Sequence, residues 1–469
     1  MKLNELTISQ AKEGLQTKKF SSVELTTACL HRIKEVEPQL NAFITVCEKE
    51  ALQNAKLADV KITNGGNLPL LGIPLSLKDM YLTKGIKTTA ASKVLENYIP
   101  QYNATVVDKL ENAGAISIGK NNQDAWAHGS SGENSDFGPT KNPWNTAYIP
   151  GGSSSGPTAA VAADMVLGSM GTDTGGSIRQ PASLCNVVGL KPTYGRVSRY
   201  GVIAMASSFD TMGHLTKTVE DSALLLSVTA GKDKNDATTS SVPIDDYTSN
   251  LNKTIKGLRI GIPKEYFIAG LDSEIEKHVK KALTKLEELG AQLVEISLPH
   301  TEYAIDSYYI LQTAEVSSNL ARYDGIRYGS ARQNFGTEAK RRIMLGTFTL
   351  SVGYYDAFYK KGLKIRTLIK KDFDEAFKQV DIIAAPISPT LAWKIGEKVD
   401  NPLAMYLSDI FTVTVNIAGI PGLSVPVGFS NGLPIGMQLL GNYFSEKVLF
   451  NVAHQYEQAT EWHTMKPKL

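Results

Sequence analysis

The sequence predicts an α/β fold built on one continuous sheet. Leu258–Ile262 and Gln292–Ile296 are predicted strands, and Ser273–Leu289 between them has the periodicity of a helix. This alternation is typical of βαβ units, whose strands share a sheet. The composition agrees, because 42% hydrophobic and 20% charged residues suit a globular chain with a large core.

The N-terminal residues 1–62 are predicted to be a mainly helical portion packed on this fold. Thr7–Glu37 has the pattern of two helices. Ser21 and Glu24 have the spacing of a capping box for the second helix, and Pro38 is expected to end it.

Later in the chain, the polar residues 231–256 predict a surface excursion rather than a domain boundary, because the alternation continues beyond them. A second capping box is expected from Ser273 to Glu276. Asn431-Gly432 between two apolar runs predicts a type I′ hairpin. Further helices are predicted over Val219–Thr229, Ser307–Arg322 and Ser351–Gln379.

Charge and cysteine content exclude several classes of protein. The net charge of +2, from 49 basic and 47 acidic residues, argues against a chain that coats nucleic acid or an anionic membrane. Three cysteines without a CxxC pair predict a reducing compartment, the cytoplasm, and no disulfide or zinc site. We expect no signal peptide and no membrane span, because no apolar run reaches 18 residues.

The stretch Gly151–Pro181 is the most unusual part of the chain. Two Gly-Gly-Ser turns, at Gly151-Gly152-Ser153 and Gly175-Gly176-Ser177, flank a small apolar segment. Glycine lets the backbone approach a ligand closely and lets amides point into a cavity. We therefore expect this stretch to cradle a ligand; the alternative is a flexible Ser/Gly linker.

Two known motifs do not fit this stretch. Gly152–Gly156 matches the GxSxG elbow of α/β-hydrolases, but the elbow needs a strand before it, and Asn145–Pro150 is not one. Neither turn carries GK[ST], which excludes a P-loop. Asp173 and Arg179, on either side of the second turn, are predicted to form a local ion pair that shapes it.

Lys78 interrupts the apolar segment Leu68–Leu82, which is predicted to be a buried strand. A buried lysine has a lowered pKa and can act as a neutral base. The alternative is that Lys78 lies at the strand end, where it reaches water or pairs with Asp79. The pattern alone does not separate these two hypotheses.

The loop Gly119–Asn145 is long and rich in turn-forming residues, which is typical of functional loops. His128 lies in it, but no His/Asp partner pattern accompanies this residue, so we expect a histidine that is structural or hydrogen-bonded. Cys185 is likewise predicted to be a small core residue, because no Cys/His motif surrounds it.

The paired motifs GGSSSG and GTDTGGSIRQPA, with an upstream strand lysine, resemble the amidase signature family. The spacing agrees, since Ser153 follows Lys78 by 75 residues and Ser177 follows Ser153 by 24. The resemblance covers nearly the whole chain. It implies the amidase signature fold as one domain over residues 1–469, with a large mixed central sheet flanked by helices on both faces.

Within this family the chain is most similar to the glutamine-hydrolysing A subunits of tRNA-dependent amidotransferases. The similarity lies in four passages: GSSGENSDFGPTKNPWN, GLKPTYGRVSRYG, RRIMLGTFTLSVGYYDAFYKK and VNIAGIPGLSVP. Simple amidases usually lack the MLGTF…GYYDAFY passage.

The resemblance implies a Ser-Ser-Lys triad. In it Ser177 is the nucleophile, Ser153 is a proton relay held by a cis peptide bond, and Lys78 is the general base. The oxyanion would be received by the backbone amides of the second Gly-Ser turn, which belong to Thr174, Gly175, Gly176 and Ser177. Ser154 and Ser155 are expected to support the first turn.

The resemblance also implies the substrate and the partners. Arg342 would bind the α-carboxylate of L-glutamine and Asp409 its α-ammonium; without the resemblance, both would be interpreted as surface charges. Ammonia would pass to a B subunit, which activates misacylated tRNA with ATP and Mg²⁺, and a small C subunit would brace the pair. No cofactor is expected on this chain. The alternatives are a free-standing amidase acting on another carboxamide or ester, and an inactive scaffold.

Overall fold

The computed structural model describes residues 2–327 and 329–469 of the chain. Eleven strands lie within them. They are β1 Phe43–Val46, β2 Pro74–Lys78, β3 Ile116–Asn121, β4 Gly168–Asp173, β5 Val188–Lys191, β6 Thr211–Thr216, β7 Arg259–Pro263, β8 Gln292–Ile296, β9 Ile382–Pro386, β10 Gly422–Ser430 and β11 Leu433–Gly441. All eleven belong to one sheet.

The same residues form fourteen α-helices. They are α1 Ile8–Gln16, α2 Ser22–Leu40, α3 Glu48–Thr63, α4 Thr105–Asn112, α5 Ser155–Ala162, α6 Arg179–Cys185, α7 Val219–Thr229, α8 Ser273–Glu288, α9 Ala304–Leu320, α10 Thr337–Thr349, α11 Lys361–Gln379, α12 Pro402–Tyr406, α13 Val413–Ala418 and α14 Glu446–Gln458. A π-helical turn, Tyr355–Lys360, leads directly into α11.

The sheet is mixed, as the resemblance implies. Its strand order is β1-β3-β2-β4-β6-β5-β10-β11-β9-β7-β8. β2 is parallel to β3 and β4, and β7 is parallel to β8 and β9, whereas the strands between these groups are antiparallel. Every residue of β2, β4, β6 and β11 is buried. Since successive side chains point to opposite faces, both faces of the central sheet are covered.

Several locally encoded features are confirmed. α7 and β8 have the predicted bounds. The Ser21–Glu24 capping box is formed in both directions. Asn431 and Gly432 have φ values of 52° and 78°, the left-handed pair that a type I′ turn requires, and they join antiparallel β10 and β11.

Other local predictions are wrong. α2 continues through Pro38 to Leu40. The cap of α8 is Asp272, whose carboxylate accepts from the amides of Glu274 and Ile275, so Ser273 is already inside the helix. The helix predicted over 351–379 begins only after a turn, and α10 before it was not predicted.

The N-terminal portion is tied to the rest of the chain through α7. The Asp221 carboxylate accepts from the backbone amides of Ile8 and Ser9, both at 2.9 Å. Residues 231–256 contain no helix or strand. Among the described residues, no helix has both the length and the apolar character that a membrane crossing requires.

Candidate active site

Lys78 is the last residue of β2, a strand much shorter than the predicted segment 68–82. Its side chain is 0% exposed. The Nζ atom lies 2.8 Å from Ser153 Oγ, 3.0 Å from Ser154 Oγ and 2.8 Å from Thr172 Oγ1. Burial lowers the pKa of Lys78 to about 7, although buried acids such as Asp124 partly oppose the shift.

The alternative for Lys78, in which it reaches water or pairs with Asp79, is wrong. Asp79 is fully buried and pairs with Lys120, whose Nζ lies 3.3 Å from its Oδ1. The Asp79 carboxylate also accepts hydrogen bonds from the amide and the hydroxyl of Thr89. Lys78 therefore lies among hydroxyls, and no carboxylate of the described residues is in direct contact with it.

Ser153 follows Gly152 in a turn where only glycine fits at position 152. The Gly152–Ser153 peptide bond is cis, as the resemblance implies. A Cβ on Gly152 would lie 2.1 Å from Asp124 Oδ2, so a side chain is sterically excluded there. The Asp124 carboxylate, which faces this turn, also accepts from the amides of Gly132 and Asn134. These contacts join the first Gly-Ser turn to the loop 119–145.

Ser177 lies in the turn between β4 and α6, next to the first Gly-Ser turn. Its carbonyl accepts a hydrogen bond from the Ser154 amide at 3.1 Å, which joins the two turns. Ser177 keeps 8% of its surface exposed, whereas Lys78 and Ser153 are completely enclosed. Of the three predicted triad residues, Ser177 is therefore the one with access to solvent or substrate.

The expectation for the oxyanion amides needs one correction. The amide of Gly176 donates to Asp173 Oδ1 at 2.9 Å, so this carboxylate already occupies it. Within the described residues, no hydrogen bond engages the amides of Thr174, Gly175 and Ser177. Three of the four predicted donors thus remain available.

The backbone of this turn is closely packed. A Cβ on Gly175 would lie 2.6 Å from the hydroxyl of Tyr308, and one on Gly176 would lie 2.3 Å from Thr412 Oγ1. Gly176 also has a φ of 134°, which disfavours other residues. The two glycines therefore allow Tyr308 and Thr412 to reach the turn.

Asp173 and Arg179 form the predicted ion pair. Arg179 Nη2 lies 3.1 Å from Asp173 Oδ1, and both side chains are fully buried. Arg179 also donates to Gln438 on β11, and Asn416 donates to Asp173. Burial alone would raise the pKa of Asp173, but Arg179, together with Lys191 and Asn416, outweighs it and holds this pKa at about 2. The Asp173 carboxylate, which accepts the hydrogen bond from the Gly176 amide, is therefore ionised.

Arg342 and Asp409 are buried, so their interpretation as surface charges is wrong. Asp409 Oδ2 accepts from Ser130 Oγ and from the Tyr309 hydroxyl, each at 2.8 Å. The Arg342 guanidinium lies over the Tyr309 ring, 5.4 Å from its centroid. Tyr309 thus connects a buried cation to a buried acid. Burial raises the pKa of Asp409 to about 6, which leaves it ionised at neutral pH.

The two hydrogen-bonding ends of Arg342 have different surroundings. Its Nε donates to Glu338 Oε1 at 2.8 Å. Its two Nη groups make no hydrogen bond to any residue in the described ranges. This leaves the face of the guanidinium that suits a bidentate carboxylate unoccupied.

No role was predicted for Tyr308 and Tyr309 from the sequence. Both lie on α9, which was predicted as a helix, and together they touch the second Gly-Ser turn and Asp409. An adjacent pair of tyrosines in an aliphatic helix was the only local signal. Their role depends on packing between segments 100 or more residues apart, which no local pattern contains.

Comparison with known proteins gives consistent matches along the chain. The sequence profile of the Amidase family matches residues 24–450. The A subunit of the glutamyl-tRNA(Gln) amidotransferase of Trichlorobacter lovleyi is 54% identical, with all of both chains aligned. The corresponding protein of Coxiella burnetii is 52% identical, again with all of both chains aligned.

Solved structures agree with these matches. The A subunit of the glutamyl-tRNA(Gln) amidotransferase of Thermotoga maritima has a TM-score of 0.84 at 42% identity, over 99% of this chain and 97% of that one. A bacterial aryl acylamidase of the amidase signature family has a TM-score of 0.88 at 26% identity, over 98% and 97%. Fold, full-length similarity and the paired Gly-Ser turns lead to one conclusion: this chain belongs to the amidase signature family.

Proposed function

We propose that the chain is the glutaminase subunit of a tRNA-dependent amidotransferase. It hydrolyses L-glutamine through an acyl-enzyme on Ser177 and supplies ammonia for the conversion of Glu-tRNA(Gln) to Gln-tRNA(Gln), or of Asp-tRNA(Asn) to Asn-tRNA(Asn). The observation that carries this proposal is the fully buried Lys78 amine beside Ser153, in the turn whose Ser154 amide donates to the Ser177 carbonyl.

The hydroxyls around Lys78 support a relay through Ser153. A neutral amine has two hydrogens and one lone pair, so one of its three partners must donate to it. Ser154 donates to the carbonyl of Thr172, and the Thr172 hydroxyl donates weakly to Met80 Sδ. The Ser153 hydroxyl is therefore the donor to the Nζ lone pair.

The proposed reaction follows from this arrangement. As Ser177 Oγ attacks the carboxamide carbon, its proton moves to Ser153 Oγ, and the Ser153 proton moves to Lys78 Nζ. The oxyanion is received by the unoccupied amides of the turn. Lys78 then returns a proton to the leaving nitrogen, which departs as ammonia. Attack by water on the ester carbon releases glutamate and restores the Ser177 hydroxyl.

Arg342 and Asp409 support an amino acid as the substrate. A carboxylate fits the unoccupied Nη groups of Arg342, and an ammonium fits the ionised Asp409. Tyr309 holds the two charges in a fixed relation. An aryl or alkyl amide offers no charged groups to such a pair, which favours glutamine over the substrates of a free-standing amidase.

An exposed apolar surface supports the proposal of partner subunits. It extends from α10 through the π-helical turn to α11, and it borders a groove of about 800 Å³ between these helices and α9. We call it the hairpin surface; its exposed large side chains are Met344, Leu345, Phe348, Leu350, Val352, Tyr354, Tyr355, Phe358, Leu363 and Leu368. A group of exposed large apolar side chains on neighbouring elements is typical of a protein–protein interface.

In this proposal a B subunit covers the hairpin surface, receives the ammonia, and binds misacylated tRNA, ATP and Mg²⁺, while a C subunit braces the pair. This chain needs no cofactor of its own for the hydrolysis. The compartment that we propose is the cytoplasm, which suits three buried, unpaired cysteines.

The experiment that tests the function measures ammonia release from L-glutamine by the chain alone and with its B and C subunits. A Ser177→Ala variant of the same complex is the control. We expect release that depends on the partners and is lost in the variant. Hydrolysis of an unrelated amide, without glutamine turnover under any condition, would instead identify a free-standing amidase.

A further inference from the structure

His128 is a fully buried histidine whose ring has no hydrogen-bond partner among the described residues. It is 0% exposed, and both Nδ1 and Nε2 are unbonded. Its backbone is fixed on both sides, because its amide donates to the carbonyl of Ala125 and its carbonyl accepts from Asn134 Nδ2, each at 3.0 Å. Of the two expected roles, structural or hydrogen-bonded, the hydrogen-bonded ring is not found among the described residues. Buried polar groups normally have partners, so this ring is placed for a partner that the chain does not supply.

The residues on either side of His128 contact two parts of the chain that belong to the proposed substrate site or adjoin it. Two residues before it, the Trp126 ring packs 5.3 Å from that of Phe335, just before α10. Two residues after it, the Ser130 hydroxyl donates to Asp409. His128 thus lies between two contacts. One is with Phe335, just before α10, which is the helix that carries Arg342. The other is with Asp409.

The ring is uncharged in this position. Burial, and then the nearby Arg342 guanidinium, hold the pKa of His128 well below its usual range. A neutral imidazole has one N–H donor and one acceptor nitrogen. Neither is bonded to the guanidinium, whose Nη groups also lack partners in the described residues.

We infer that His128 is a specificity-determining residue whose ring N–H donates a hydrogen bond to the α-carboxylate of the substrate, beside Arg342. This inference rests on the proposed glutaminase function. A carboxylate accepts from both residues at once and so satisfies both unbonded groups. The α-ammonium belongs at the other end of the site, because Asp409 is anionic and Arg342 repels a second cation.

The kinetics of three amide substrates distinguish this role of His128 from a structural one. L-glutamine has both charged groups, glutaramate lacks the α-ammonium, and 4-aminobutanamide lacks the α-carboxylate. The kcat and KM for ammonia release are measured with the assembled complex of this chain and its partners. His128→Leu removes the donor at similar size, and His128→Gln keeps an N–H donor.

We expect His128→Leu to raise the KM for glutamine and glutaramate by about 10- to 100-fold with kcat unchanged, because a hydrogen bond to a charged group is lost. The KM for 4-aminobutanamide should not change, and His128→Gln should restore most of the affinity. If His128→Leu does not fold, His128→Gln and His128→Glu, which are equal in size, provide the same comparison. The glutamate variant should then lose affinity only for the two carboxylates.

Equal KM increases for all three amides, or a lower kcat without a change in KM, would overturn the inference and assign His128 a packing role. Unchanged kinetics in every variant would overturn it as well. A wild-type complex without glutamine hydrolysis is a distinct result, because it contradicts the proposed function itself.

Discussion

The Lys78 amine and the Ser153 hydroxyl, 75 residues apart in sequence, lie 2.8 Å from each other in an enclosed site. Because of this contact, Lys78, an unusual lysine at the end of an apolar strand, is a candidate general base. Its surroundings are hydroxyls rather than carboxylates, and so burial dominates its pKa.

The pH dependence of glutamine hydrolysis should reflect the lowered pKa of Lys78. The base acts in its neutral form, so kcat/KM should rise about tenfold between pH 6 and pH 8, around the pKa of about 7. Protonation of Asp409 below its pKa of about 6 should also lower kcat/KM as the pH falls. The measurement is ammonia release across this range. A flat profile from pH 6 to pH 8 would contradict Lys78 as the base.

Two buried lysines allow a matched test of the site. Lys78→Met should abolish turnover without destabilising the chain, since it removes a buried amine that has no ionic partner in the described part of the chain. Lys120→Met should instead lower the free energy of unfolding by about 3–5 kcal/mol, because it leaves the buried Asp79 unpaired. Denaturant unfolding and ammonia release are compared for both variants. Substantial activity in folded Lys78→Met would show that another group is the base.

Asp409→Asn tests the ammonium site. Asparagine keeps an acceptor for Ser130 and Tyr309 but removes the negative charge. The KM for glutamine should rise by about 10- to 100-fold, corresponding to about 1.5–3 kcal/mol, while glutaramate, which lacks the ammonium, should be much less affected. A similar loss for both amides would mean that Asp409 only supports the packing of Tyr309.

The hairpin surface should be required for assembly and not for folding. The double variant Phe348→Glu, Val352→Glu places two charges on this surface. We expect it to fail to co-purify with the B subunit, while its circular dichroism and unfolding midpoint stay close to those of the wild type. Ile244→Glu, at an exposed apolar residue in the segment 231–256, is the matched control and should still assemble. Normal assembly of the double variant would exclude the hairpin surface as the interface.

Elements with a local cause were predictable from the sequence. The bounds of α7 and β8 follow from apolar periodicity, and the Asn431-Gly432 hairpin follows from the backbone freedom of those two residues. Errors arose where two local signals compete. Asp272 caps α8 although Ser273 also has a capping side chain, and α2 continues past Pro38.

By itself the sequence determined the paired Gly-Ser turns, the spacing that relates Lys78 to them, and the family resemblance. The tertiary structure decided what these residues contact. It assigned Asp79 to Lys120, placed the Gly176 amide on Asp173, and joined Arg342 to Asp409 through Tyr309. The reason is physical: a pKa and an ion pair depend on solvent exclusion and on partners from distant segments, and both exist only once the sheet and its helices have packed.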